Sequence, residues 1–140
     1  MQEILTIITN VSELKMANKP ANTAQKQWMK DISEWPYNNI HNMYDGGYAQ
    51  DCNFQLHHVL GRSAKHNKIA IGHWFIIPVP IDLHDVNSNH PLNVTHSKHA
   101  FTDRFGKQSE LFGWMVHEME EDGYIVPNTD VYRAIMGTRA

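Results

Sequence analysis

The sequence predicts one small α+β domain, and three observations carry that prediction. The chain has 140 residues, enough for a single core of ordinary size. Two β-rich segments, 54 to 60 and 69 to 80, follow one another in its middle. Segments with helical apolar spacing flank them on both sides. An apolar content of 41% with 19% charged residues excludes a disordered chain. No apolar run reaches the roughly 18 to 20 residues of a membrane span. The opening "MQEILTIITNVSELK" has neither a basic n-region nor a small-residue cleavage site. Cys52 is the only cysteine, which excludes an intrachain disulfide framework and a cysteine-based zinc knuckle, and it reads as a small buried hydrophobe. A cytoplasmic protein is therefore expected, with no glycan at the sequons of Asn10 and Asn93.

Taken in order, "EILTII" (3 to 8) reads as a β-branched strand. "NTAQKQWMKDISEW" places Ala24, Trp28, Ile32 and Trp35 at helical spacing, with Asn22 as N-cap, Gln25 at N3 and Pro36 as the stop. "YNNIHNMYDGGY" (37 to 48) is turn-rich. "FQLHHVL" (54 to 60) is the first central strand and "GRSAKHNK" a basic loop. "IAIGHWFIIPVP" (69 to 80) is a second strand, begun near His73 and made irregular or ended by Pro78 and Pro80. Residues 81 to 106 read as loop and short helical pieces, and 107 to 122 as a helix with Leu111, Phe112, Met115, Val116 and Met119 on one face. A last helix spans 128 to 136, capped by Asn128 or Thr129. No repeat, linker or low-complexity segment divides the chain, so residues 1 to 140 are expected to be one domain.

The unusual feature is histidine. Eight of the ten lie between His57 and His99, and His57 and His58 are adjacent on a strand, where neighbouring side chains face opposite ways. Histidine is the commonest metal ligand and the side chain most easily set near neutral pH. Imidazoles converging from the first strand and from the later segment would make a transition-metal site with an open position. One face of the strand would then give His57 to the ion, while the other keeps His58 free. The formal charge of −3 does not suggest a nucleic-acid binder, but residues 62 to 107 hold six Lys or Arg against three Asp. His66, His90 and His117 read as surface or capping residues, and Trp74, Phe75, Phe101 and Phe105 as core.

The run "QLHHVLGRS … GHWFIIPVPIDLH … LNVTHSKHAFTDRFGKQSELF" resembles the HNH nucleases, also called ββα-metal or His-Me finger nucleases. It is most similar to the small phage-encoded recombination-enhancement type without zinc knuckles. The resemblance covers residues 52 to 112 and implies a ββα-metal core flanked by helices. It also implies His57, His84 and His96 as ligands of one divalent ion, and His58 as the general base. The middle position of the H-N-H pattern falls on His73. His84 and His96 stand 12 positions apart, so His99 stays open as the third ligand and His90 as a weaker rival. By the same resemblance, the ion is zinc on isolation, with Mg²⁺, Mn²⁺ or Ni²⁺ supporting activity.

Phosphodiester hydrolysis needs an activated water, stabilised phosphoryl oxygens and help for the leaving oxygen. An ordinary histidine suits the first task at neutral pH, and cleavage is expected to decline below about pH 6.5. Arg62, Lys65 and Lys68 after the His-His strand, with Lys98 and Arg104 from the later helix, are the expected contacts to DNA phosphates. Such contacts carry no base information, so little sequence preference is expected on single- or double-stranded DNA. Recombination or phage proteins, or a second copy of the chain, are further partners, and a bacterial host cytoplasm follows if the gene is phage-borne. A zinc-stabilised, non-catalytic module binding DNA or protein is the alternative from another class. A metallohydrolase of small phosphorylated substrates is the third.

Overall fold

The architecture is built around one pair of strands, and the computed structural model describes residues 20 to 48 and 53 to 140. The strand expected at 3 to 8, Cys52 and the Asn10 sequon lie outside those residues. Helix α1 (Thr23–Glu34) starts with the expected capping box: the Asn22 side chain accepts from Gln25 N–H, and the Gln25 side chain accepts from Asn22 N–H, both at 2.8 Å. Such a cap contributes about 1 kcal/mol. Trp28, Ile32 and Trp35 are buried as the spacing predicts, but Gln25 takes the inward position in the first turn and Ala24 stays in solvent. α1 ends at Glu34, just before Pro36 as expected, and a 3₁₀ turn (Trp35–Asn38) and the short α2 (Ile40–Met43) follow it.

Strand β1 (Phe54–His58) pairs antiparallel with β4 (Ile76–Pro80), from Phe54 opposite Pro80 to His58 opposite Ile76. Ile81 N–H donates to the Asn53 carbonyl at 3.0 Å, and Val59 N–H to that of Phe75 at 3.1 Å, extending the ladder at both ends. Odd-numbered residues therefore occupy the hydrogen-bonded pairs. Pro78 and Pro80 fall between them, where a missing N–H costs the ladder nothing. The second predicted strand is not continuous. Trp74 and Phe75 N–H both turn back onto the Ile71 carbonyl, at 2.9 and 2.7 Å, so β4 starts only at Ile76 and His73 sits in the turn before it.

The basic loop folds on itself. Strands β2 (Lys65–His66) and β3 (Ile69–Ala70) form a tight hairpin whose central residues, Asn67 and Lys68, have φ of 52° and 69°. Positive φ at both positions is what a two-residue hairpin turn of this twist demands. Gly72 then crosses under the 61–62 backbone, and a Cβ there would collide with Gly61 and Arg62 main-chain atoms. Only glycine fits that crossing.

Helix α3 (Ile81–His84) follows β4 directly. Asn93, fully buried, then organises the loop: its amide donates to the Asp85 carbonyl at 2.9 Å, and its oxygen accepts from Thr95 N–H at 2.8 Å and His96 N–H at 3.1 Å. An amide so enclosed has no room for a glycan. Helices α4 (Lys98–Phe105), α5 (Gln108–Glu121) and α6 (Thr129–Met136, capped by Asn128) complete the α+β domain. All five residues of β4 are buried, and the strand packs on α1 and α5. Trp28 donates its indole N–H to the Trp74 carbonyl at 3.0 Å and meets Phe112 edge-on at 6.4 Å, while Phe75 meets the same ring at 5.3 Å. The expected apolar face of α5 is buried throughout. Among the described residues, no helix is long and apolar enough to cross a membrane.

Candidate functional site

The alternation of β1 sends its two histidines to opposite faces, and each meets a different partner. On one face, His57 faces His84, whose ring is delivered by the last residue of α3. Their centroids are 4.9 Å apart, and His57 Nδ1 lies 3.1 Å from His84 Nε2. On the other face, His58 meets His73 edge-on at 5.6 Å.

The first pair is braced. Gln55, two residues before His57 and hence on the same face, places its Oε1 2.5 Å from His84 Nδ1. A carboxamide oxygen only accepts, so His84 carries its proton on Nδ1 and turns a bare Nε2 toward His57. Gln108, the first residue of α5, is 2% exposed and within hydrogen-bonding reach of the His57 ring, where it favours the protonated form. Its Oε1 nevertheless closes no hydrogen bond of good geometry. With His84 Nε2 bare, the 3.1 Å contact is a hydrogen bond in which His57 Nδ1–H donates, and an ion seated between the two nitrogens would displace that proton.

These observations test whether the pair suits a divalent ion. Imidazole nitrogens bind at about 2.0–2.1 Å, so two nitrogens on one ion stand about 3.0–3.4 Å apart. The 3.1 Å separation falls in that range. Gln55 holds the proton on the far side of the His84 ring, as outer partners of metal-bound histidines do, and Gln108 stands within reach of the His57 ring. The pair fits. His96 does not join it: its Nε2 is 2.8 Å from the Val86 carbonyl. His99 lies on the outer face of α4, 3.5 Å from Asp103, and His90 Nδ1 accepts from Leu92 N–H at 3.0 Å. Among the described residues, no three His, Cys, Asp or Glu side chains gather to hold an ion.

Electrostatics keep these rings neutral. Burial, then the His84 charge, pushes His57 down to about 4, against the pull of Gln108. Burial, then the Arg62 guanidinium, then His73, pushes His58 down to about 4 as well. Burial also lowers His84, partly offset by Asp85. The expected loss of activity below about pH 6.5 assumed unperturbed histidines, and these shifts move the protonation of the site to more acidic solution. His58 Nε2 is buried with no hydrogen-bond partner among the described residues.

The expected phosphate contacts divide. Arg62, Lys65 and Lys68 line one cavity together with His73. Lys98 lies on the His57 side, near enough to disfavour a proton there. Arg104 is occupied: it pairs with Asp45 Oδ1 at 3.0 Å and lies over the rings of Phe105 and Tyr48 at 4.9 and 5.7 Å, fastening α4 to the 45–48 loop. The sequence reading missed Gln55 and Gln108. Gln55 carried a signal, its same-face spacing from His57, whereas nothing local marked Gln108. No protein-family model, curated protein or solved structure matches the chain.

Proposed function

We propose that the chain is a metal-dependent endonuclease of the HNH type, hydrolysing DNA phosphodiesters with little sequence preference. The observation that carries this reading is the His57–His84 pair, 3.1 Å between nitrogens, with Gln55 fixing the second ring. His57 and His84 would hold the ion, leaving its other positions to water and phosphate oxygens. When bound, the ion supplies Lewis-acid stabilisation of charge developing on the phosphoryl group.

The remaining work falls to this chain's side chains. β1 ends at His58, so a phosphodiester laid across the end of the strand reaches both faces. His58, neutral and half-buried at the end of β1, takes the proton from the attacking water. Arg62 on one side and Lys98 on the other neutralise non-bridging oxygens and fix the phosphate in line. Three-histidine ligation through His96 requires its ring to leave the Val86 carbonyl. A closed structural zinc site would need four protein donors.

The direct test is plasmid nicking with added Mn²⁺, Mg²⁺ or Ni²⁺. Wild type should convert supercoiled DNA to nicked and linear forms, and His58→Ala should bind ion and DNA without cutting. Undiminished nicking by His58→Ala refutes the role given to that residue. Failure of wild type with every ion refutes the nuclease reading.

A further inference from the structure

On the His58 side of the sheet, the turn holding His73 and the β2–β3 hairpin enclose a half-open cavity of about 550 Å³. Among the described residues its charged lining is Arg62, Lys65 and Lys68, with no Asp or Glu. None of the three cations takes part in an ion pair among the described residues. In a chain of net charge −3, three uncompensated cations around one cavity are a local reversal of sign. The lining also includes the small residues Ala64, Ala70 and Gly72, with His73 beside them.

We infer that this cavity receives an unpaired nucleotide, so that single-stranded DNA is the preferred substrate; this rests on the nuclease reading and adds the strand form to it. Cavities that enclose small organic ligands run from about 300 to 1,000 Å³, which one nucleotide suits. A duplex keeps its bases stacked inside a rod and can only lie across the mouth. An unpaired base presents its flat face and edges, and can enter while its phosphates stay on the rim cations. The walls are preformed rather than adaptable. Gly72 packs directly under the Arg62 backbone, and the hairpin turn is locked by two left-handed residues. His73 lines the cavity and touches His58 at 5.6 Å between centroids, so a nucleotide seated there brings a neighbouring phosphate to the end of β1.

The test is fluorescence anisotropy in EDTA, where cutting is suppressed, with a labelled oligothymidine 12-mer and a blunt duplex of equal length. The single strand should bind at least 10-fold more tightly, with a log–log salt slope near −3 for four phosphates neutralised by Arg62, Lys65, Lys68 and Lys98. Ala70→Trp, which fills the cavity from an exposed hairpin position, should abolish the preference, and Lys65→Glu/Lys68→Glu should weaken single-strand binding at least 10-fold. Circular dichroism checks folding; if the tryptophan variant does not fold, the double lysine variant decides. Equal affinity for both forms, or single-strand binding untouched by the variant that decides, overturns the inference. The nicking assay separates the two readings. Nicking without single-strand preference sinks the pocket alone, whereas single-strand preference without nicking sinks the nuclease and leaves the pocket standing.

Discussion

Gln55 Oε1 and His84 Nδ1 meet at 2.5 Å, and this contact decides which nitrogen of His84 faces His57. Gln55→Leu should therefore leave the fold intact yet weaken Zn²⁺ or Ni²⁺ binding about 10- to 100-fold in calorimetry. Gln108→Leu should weaken it in the same direction, with Gln108→Glu restoring an acceptor and most of the affinity. His57→Ala and His84→Ala should abolish measurable binding. Wild-type affinity in Gln55→Leu would show that the carboxamide is only packing.

The acid response follows from the direction of the histidine shifts. His57 and His58 sit near 4 in the folded chain against an ordinary 6.5, so between those values the unfolded chain binds more protons. Stability therefore rises with pH across that window: the contribution is complete above about pH 6.5 and is lost progressively toward pH 4. Melts in EDTA should show Tm falling from pH 7.5 to pH 5, with a shallower fall in His57→Gln/His58→Gln. Nicking should persist to about pH 5 before it declines. A Tm unchanged over that range contradicts the burial assigned to these rings.

Gly72→Ala tests the crossing beneath the 61–62 backbone. Overpacking of this kind costs about 1–3 kcal/mol, and here the obstacle is main chain that cannot rotate away. Denaturant unfolding should show that loss, and single-strand affinity should fall with it because Arg62 is displaced. Gly61 and Gly123 have nothing within 4 Å of an added Cβ but have φ of 91° and 94°, so their alanine variants report strain alone.

Arg104 and Lys98 separate a structural cation from a substrate-facing one on the same helix. Arg104→Ala should lower stability by no more than about 1 kcal/mol, as an exposed ion pair does. Its salt slope for DNA binding should match wild type. Lys98→Ala should leave Tm alone and flatten that slope by about 0.7. The opposite pattern would restore Arg104 to the phosphate contacts and remove Lys98.

Local pattern made much of this legible. The Asn22–Gln25 capping box, the apolar face of α5 and the Asn128 cap are dictated within one or two turns of helix, where sequence spacing is spatial spacing. The same holds for the opposite facing of His57 and His58. What the sequence hid was tertiary. The apolar run from Ile69 to Pro80 satisfies a strand pattern throughout, yet Gly72 under the 61–62 backbone forces a turn in its middle. His96 has the right residue type for a ligand, but Asn93 holds the preceding backbone and the Val86 carbonyl takes its ring. Gln108 becomes visible only when α5 is placed against β1, more than 50 positions earlier.

The outer margin of β4 has a consequence for solution behaviour. Pro78 and Pro80 remove two donors from it, the Tyr44 hydroxyl occupies the Pro78 carbonyl at 2.7 Å, and Ile76 N–H is spent on Trp74 at 2.9 Å. An exposed strand margin is ordinarily a template on which another chain can add a strand and begin aggregation. Here three donors and one acceptor of that template are missing or taken. A further strand finds neither those donors nor that acceptor along β4, so self-association at this margin has to proceed through side chains rather than through backbone pairing.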